Sequence, residues 1–223
     1  IRDHKLSVLE FGAGDGSFMS GLLEYFFINN KKLLKNVCFI IIEPNKGMVE
    51  KQQKKLEKYL RLDFDISWRS LEELEDRSLN GVVLANEVLD SLPIERIINL
   101  KGKIHRQGVS IDEESGRLFF EEIKITKELE KSIAFAEEKL DIKIPPKDAP
   151  EGWSTEWHID NKKWLKAVYE KINNGIVLII DYAKEAKRYY SLNNSNGTLI
   201  SYKNQKIIEN VFESPGNCDL TSH

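Results

Sequence analysis

Four of the chain's thirteen glycines, Gly12, Gly14, Gly16 and Gly21, fall within ten residues near its start. Residues 7–11 ahead of them read as a buried strand, and residues 17–27 behind them as a helix with Phe18, Met19, Leu22, Leu23, Phe26 and Phe27 on one face. The same rhythm continues. Residues 37–43 form an apolar strand, and residues 47–60 a helix with Met48, Gln52, Leu56, Tyr59 and Leu60 inward. Residues 64–68 make a third strand, Ser70-Leu-Glu-Glu resembles a capping box, and residues 81–85 make a fourth strand. Strands alternating with helices predict an α/β fold, a doubly wound and mostly parallel sheet with helices on both faces.

The rhythm breaks after the fourth strand. Residues 97–124 alternate in short runs with turn signals, as antiparallel hairpins do, and a helix with Leu129, Ile133, Ala136 and Leu140 inward follows. Residues 144–152, rich in proline, read as a rigid linker. A helix over 160–172 and a strand over 175–182 then resume the pattern, so one core domain over 1–223 with an inserted subdomain over 97–152 is expected.

Composition removes several classes. The longest uncharged apolar run, residues 37–42, is far too short to span a bilayer. No secretory signal opens the chain, and Cys38 and Cys218 cannot make a disulfide framework, which points to a reducing compartment. The net charge of -3 offers no bulk attraction for nucleic acid. His4, His105, His158 and His223 lack ligand spacing, so no metal is expected. Ile1 is not an initiator residue and His223 ends abruptly, so a piece of a longer protein is expected.

Glycine spacing discriminates between cofactors. A dinucleotide fingerprint needs glycine three residues after the second, and that position is Ser17. Glu10-Phe-Gly12-Ala-Gly14-Asp-Gly16 instead has the arrangement typical of S-adenosyl-L-methionine-dependent methyltransferases, although a tight turn without a ligand would use the same glycines. Gly21, inside the helix, reads as a close-packing position. Glu43, directly after the second strand, can accept hydrogen bonds from both hydroxyls of an adenosine ribose. Glu10 either braces the loop or meets the cofactor's amino group. Ser70 and Leu71 stand where adenine would be flanked.

The fourth strand ends in Asn86-Glu87-Val-Leu-Asp90-Ser-Leu-Pro93, at the strand ends where ligands of doubly wound sheets sit. Glu87 and Asp90 are the candidate catalytic residues: carboxylates there can position a cationic nucleophile such as a guanidinium and take up its proton. Asn86 is assigned to the cofactor. Asp90 or Ser91 can equally cap a turn at Pro93. Asp181-Tyr182 closes the last strand at the same edge, as a substrate contact or as simple strand termination. Trp153, Trp157 and Trp164 gather beside Glu156, either packing a helix or lining a cleft.

Taken together these segments resemble the MidA-like S-adenosylmethionine-dependent methyltransferases, a family that includes the mitochondrial arginine methyltransferase needed for complex I assembly. The matching segments are Leu9 to Gly16, Ile42-Glu-Pro-Asn45, Ala85 to Pro93, Glu156, Leu178-Ile-Ile-Asp-Tyr182, Gly197-Thr-Leu199 and Pro215 to His223. Ala183 stands where the family usually has glycine. The resemblance implies a class I methyltransferase (Rossmann-like) fold, S-adenosyl-L-methionine as cofactor, and methylation of a protein substrate on an arginine nitrogen. It brings in Glu156, Asp181 and Tyr182 as substrate-side residues, and implies extensions at both termini. The expected setting is the cytoplasm, or the mitochondrial matrix in a eukaryote, without nucleic-acid or membrane partners; a homodimer through the insertion is open. Competing functions are a non-catalytic assembly module on the same fold and a small-molecule methyltransferase with residues 97–152 as its lid.

Overall fold

The computed structural model describes residues 5–222, so His4 and His223 lie outside the described residues. In chain order the first elements are β1 (Leu6–Phe11), α1 (Ser17–Asn29), α2 (Lys31–Leu34), β2 (Val37–Ile42), α3 (Lys46–Leu60), β3 (Ile66–Arg69) and β4 (Leu79–Asn86). A 3-10 turn at Leu89–Ser91 leads to β5 (Glu95–Leu100), β6 (Lys103–Ile111), β7 (Leu118–Ile123), α4 (Lys127–Leu140) and β8 (Ser154–Trp157). Then come α5 (Ile159–Lys171), β9 (Ile172–Ile180), α6 (Ala186–Tyr189), β10 (Ile200–Lys203), β11 (Lys206–Ile208) and β12 (Asp219–Thr221).

Two compact units are present, where one domain with an insertion over 97–152 was expected. The first holds the chain up to Leu89 together with Lys163–Asp181; the second holds Asp90–Lys162 together with the residues from Tyr182 on. The difference has a simple origin. The strands β10, β11 and β12 are three or four residues long, too short to show a period, and the chain after β9 therefore gave no sign of joining the inserted segment.

The first unit is the parallel α/β sheet, in the order β3-β2-β1-β4-β9, with every neighbouring pair parallel. Alternate residues of β2 serve its two faces, as strand geometry requires. Val37, Phe39 and Ile41 pack with Met19 and Leu23 of α1, Leu34 of α2, and Leu56 and Tyr59 of α3. Ile40 joins Leu9, Phe11, Val83 and Ala85 on the opposite face, covered by Leu74 and by Val168 and Trp164 of α5. Asn45 starts α3 by accepting the backbone N–H groups of Gly47 and Met48.

Periodicity misplaced some side chains. Phe18 is 52% exposed, with Tyr25 and Ile28, because α1 is apolar nearly all round and its pattern cannot select one face. Leu60 and Leu140 end their helices and are exposed rather than inward. A Cβ at Gly21 would meet nothing within 4 Å, so that glycine is not a close-packing position. Close packing occurs instead at Gly81 and Gly175. A Cβ at Gly81 (φ +147) would collide with the Ser7 carbonyl oxygen, and one at Gly175 with the Gly81 carbonyl oxygen. β9 carries five consecutive aliphatic residues, Ile176 to Ile180, each more than a third exposed at the sheet's margin.

The second unit contains an antiparallel sheet in the order β7-β6-β5-β8 and a three-stranded antiparallel sheet with β10 between β11 and β12. Leu129 and Ile133 of α4, capped by Thr126, pack with Ile97, Trp153 and Trp157. Among the described residues no helix is long and apolar enough to cross a membrane, and no group of three or more His, Cys, Asp or Glu side chains is placed to hold a metal.

Gly81→Ala is expected to destabilise the protein by more than about 3 kcal/mol, the range of severe backbone and packing conflicts. Gly116→Ala, at a turn where a Cβ meets nothing within 4 Å, is expected to cost about 1 kcal/mol through its positive φ alone. Urea unfolding of the two variants reads the difference.

Candidate functional site

Past the end of β1 the backbone takes three left-handed turns, at Gly12 (φ +58), Gly14 (φ +53) and Gly16 (φ +84). The Gly12 N–H donates to the Ile42 carbonyl of β2 at 3.0 Å, and the Gly16 N–H donates to the Ala13 carbonyl at 2.8 Å. Two of these glycines answer different needs. A Cβ at Gly14 would point into open space, so only its backbone angle and access from outside require glycine there. A Cβ at Gly16 would stand 3.3 Å from Cα of Gln52, so its absence lets the loop rest on α3. Lys55 of α3 bonds the side chains of Asp15 and Ser17, and the Lys55 bond to Asp15, with the bonds Asp15 receives from the Ser17 hydroxyl and N–H, holds the Asp15 carboxyl down at about 2.

Two carboxylates flank this loop. Glu10, in β1, is 4% exposed and its Oε2 has no hydrogen-bond partner among the described residues. Burial pushes its pKa up to about 7. Glu43 directly follows β2 and is half-buried. Its Oε1 accepts the Asn45 N–H at 2.9 Å and its Oε2 accepts the Gln52 amide at 3.0 Å. Each carboxylate oxygen has a second lone pair for a ligand hydroxyl. The same Gln52 amide donates to the Gly14 carbonyl at 2.8 Å, and its oxygen accepts the Trp68 indole N–H at 2.8 Å. The helical period places Gln52 inward but gives it no partner. The available signal was a polar amide within an otherwise apolar stripe, since a buried amide needs partners.

Ser70 is exposed and Leu71 packs into the sheet's core. The Glu73 carboxylate accepts the Ser70 N–H at 2.7 Å, half of a capping box, yet only turns follow because the chain soon enters β4.

At the end of β4, beside β1, Asn86 and Glu87 are exposed. Glu87 is left-handed (φ +51), unusual for a residue with a Cβ. Two bonds to the end of β9 hold it: the Glu87 N–H donates to the Ile180 carbonyl at 2.8 Å, and the Leu89 N–H donates to Asp181 at 2.9 Å. Asp181 therefore tethers the acidic loop. The first unit thus brings together Glu10, Gly12, Gly14, Gly16, Glu43, Asn86, Glu87 and Asp181 at the carboxyl ends of adjacent strands. Asp90, Glu156 and Tyr182 belong to the second unit. Asp90 is buried in the 3-10 turn, and its backbone carbonyl accepts the Ser222 N–H at 3.0 Å; Tyr182 is exposed.

Glu156 is closed to solvent, at 0% exposure. Its carboxylate pairs with the Arg96 guanidinium and accepts the Tyr189 hydroxyl at 3.0 Å and the Thr198 N–H at 2.8 Å. Arg96 further donates to Ser154 at 2.9 Å and to Gln107 at 3.0 Å, and stacks 5.0 Å over Phe120. A Cβ at Gly197 would collide with the carboxylate. In this arrangement Glu156 binds its own chain, contrary to the substrate contact expected of it. Burial and the Glu156 charge push the Tyr189 phenol well above its ordinary range. The tryptophans pack: Trp153 and Trp157 in the second unit's core, Trp164 edge-on to Phe11 at 4.9 Å.

A model of the family described as "Putative S-adenosyl-L-methionine-dependent methyltransferase" matches residues 2–223. The chain belongs to this family. A crystal structure of a Burkholderia thailandensis protein bound to S-adenosyl-homocysteine is 26% identical, with a TM-score of 0.79 over 98% of this chain and 52% of that one. A native crystal structure of an uncharacterized protein of the same superfamily, from the same organism, is 26% identical, with a TM-score of 0.78 over 99% of this chain and 55% of that one. The chain thus spans about half the length of these structures. No curated protein matches the sequence. The family's cofactor, S-adenosyl-L-methionine, fits the residues of the first unit. Glu10 supplies a buried, unpartnered carboxyl for a cationic or donor group, Gly14 leaves open space for close approach, and Glu43 retains acceptor capacity.

A carboxyl whose pKa is raised in the folded state binds more protons folded than unfolded between about 4.5 and 7, so stability falls as pH rises through that window. Glu10→Gln is expected to remove that fall, stabilising the ligand-free protein by about 3 kcal/mol at pH 8 and little at pH 4, as read by urea unfolding across pH. Glu156→Gln, which leaves Arg96 without its counter-charge, is expected to cost about 3–5 kcal/mol at neutral pH in the same measurement.

Proposed function

We propose that this protein transfers a methyl group from S-adenosyl-L-methionine to a protein substrate, on a guanidinium nitrogen of arginine, as suggested by the resemblance to the MidA-like methyltransferases, which include the mitochondrial arginine methyltransferase needed for complex I assembly. The observation that carries this reading is the placement of the acidic segment Asn86-Glu87 at the end of β4, directly beside the strand that ends in the glycine loop.

The cofactor supplies a methyl group already activated on a sulfonium. The protein's task is to align the nucleophile and remove water from it. Glu87 is exposed at the strand end, and a carboxylate there can bind a guanidinium through two parallel charge-assisted hydrogen bonds and accept the proton it loses. Asp181 positions that loop through the Leu89 N–H. Asp90, buried one turn further on, supports the loop's acidic character. Glu43 serves the ribose, Glu10 the amino end of the cofactor, and Asn86 the same edge. Tyr182, exposed beyond β9, is assigned to the substrate. A cytoplasmic or mitochondrial-matrix setting, absence of nucleic-acid and membrane partners, and self-association through the second unit accompany this reading as proposals.

Calorimetric titration with S-adenosyl-homocysteine, followed by radiolabelled methyl transfer to arginine-containing proteins, tests it. Glu87→Gln is expected to retain cofactor binding while methyl transfer drops at least about 100-fold, the usual contribution of a positioned acid–base group. Binding without transfer to any acceptor would support a non-catalytic module, and transfer confined to small amines a small-molecule enzyme. No binding of S-adenosyl-homocysteine and no methyl transfer would remove the reading altogether.

A further inference from the structure

We propose that Gln52 is the positioning residue that fixes Glu43 and the Gly14 turn in one relative placement, and thereby sets the ribose specificity of the cofactor site. The inference rests on the cofactor reading of that site. Gln52 is fully buried on α3, and three groups from three separate segments converge on its amide. Its nitrogen donates both hydrogens, one to the Gly14 carbonyl at 2.8 Å and one to Glu43 Oε2 at 3.0 Å, while its oxygen accepts the Trp68 indole N–H at 2.8 Å.

This set of partners admits one orientation of the amide. Turned over, the side chain would set its oxygen against a carbonyl and a carboxylate, and its NH2 against an indole N–H, losing all three bonds. The two acceptors fix which end of the amide faces them, and Trp68 satisfies the oxygen that this orientation leaves on the other side. The consequence is geometric. One Glu43 oxygen is held by Gln52 and the other by the Asn45 N–H, so rotation of the carboxylate is restrained at both oxygens while each keeps a lone pair. The loop is fixed to the same amide through Gly14, and Gly16 leaves room for this contact, its Cβ position being 3.3 Å from Cα of Gln52. The part of the cofactor that lies on the glycine loop and the part that meets Glu43 are thus held at a set separation by a single side chain. A ligand hydroxyl pair fits that fixed carboxylate; a ligand lacking one hydroxyl leaves an acceptor unmet.

The test compares binding of S-adenosyl-homocysteine with that of its 2′-deoxyadenosyl counterpart, by calorimetry, in the wild-type protein and in Gln52→Leu, Gln52→Glu and Trp68→Phe. The wild type is expected to prefer the ribosyl ligand. Gln52→Leu and Gln52→Glu, the latter placing a carboxylate against Glu43, are expected to weaken S-adenosyl-homocysteine binding roughly tenfold or more. Both are expected to shrink the preference between the two ligands. Trp68→Phe, which leaves the buried amide oxygen without a donor, is expected to lie between them and the wild type. Equal weakening for both ligands, with the preference intact, would make Gln52 a packing residue and overturn the proposal, as would unchanged affinity in folded variants. Should Gln52→Leu and Gln52→Glu fail to fold, Gln52→Met, which keeps the side chain's length but neither donor, decides: an unaltered preference overturns it. Absence of binding by the wild type would instead overturn the cofactor reading itself.

Discussion

Left-handed backbone at three alternate positions, residues 12, 14 and 16, is the constraint around which the ligand edge of the first unit is built. A loop of this shape has no side chains of its own at those positions to hold it, so its neighbours do so. The Ile42 carbonyl of β2 takes the Gly12 N–H, Gln52 of α3 takes the Gly14 carbonyl, and the backbone of α3 fills the space beside Gly16. Sheet and helix are thereby fastened to one turn. Glu43, which follows β2, and α3, which follows Glu43, inherit their placement from it.

Much of this was legible in the sequence because it is local. A glycine's tolerance of positive φ and a carboxylate at a strand end are written in a few residues, and each strand or helix of the alternation in a stretch of about fifteen or fewer. Glu43 and Glu10 could be placed from chain order and strand polarity alone. Gln52 could not, since its partners lie 38 positions away at Gly14 and 16 away at Trp68. The inward face of α1 was blurred because apolar residues surround the helix, and the extent of the second unit was hidden because β10 to β12 are too short to carry a period.

Glu156 illustrates a different limit. Its segment and the Gly197-Thr198 segment both contributed to the family resemblance, and chemistry was the natural assignment for a carboxylate. The fold brings them together for another purpose. The missing side chain of Gly197 makes room for the buried carboxylate, and the Thr198 N–H and Tyr189 hydroxyl complete its hydrogen bonding beside Arg96. Burial still disfavours the Arg96 charge more than Glu156 favours it, and removing either partner leaves an unmet charge. Recurrent motifs can mark such interior junctions as readily as reacting groups.

The left-handed conformation of Glu87 carries one more implication. Residues with a Cβ tolerate that region poorly, and β-branched ones least of all. Two bonds to the end of β9 impose it whatever the side chain happens to be. The alphabet available at position 87 is therefore narrowed by the backbone before any substrate is considered: glycine, asparagine and aspartate fit the turn comfortably, whereas valine, isoleucine and threonine do not. Glutamate occupies this position against a conformational preference, and a β-branched replacement would strain the loop before it altered any contact to an acceptor.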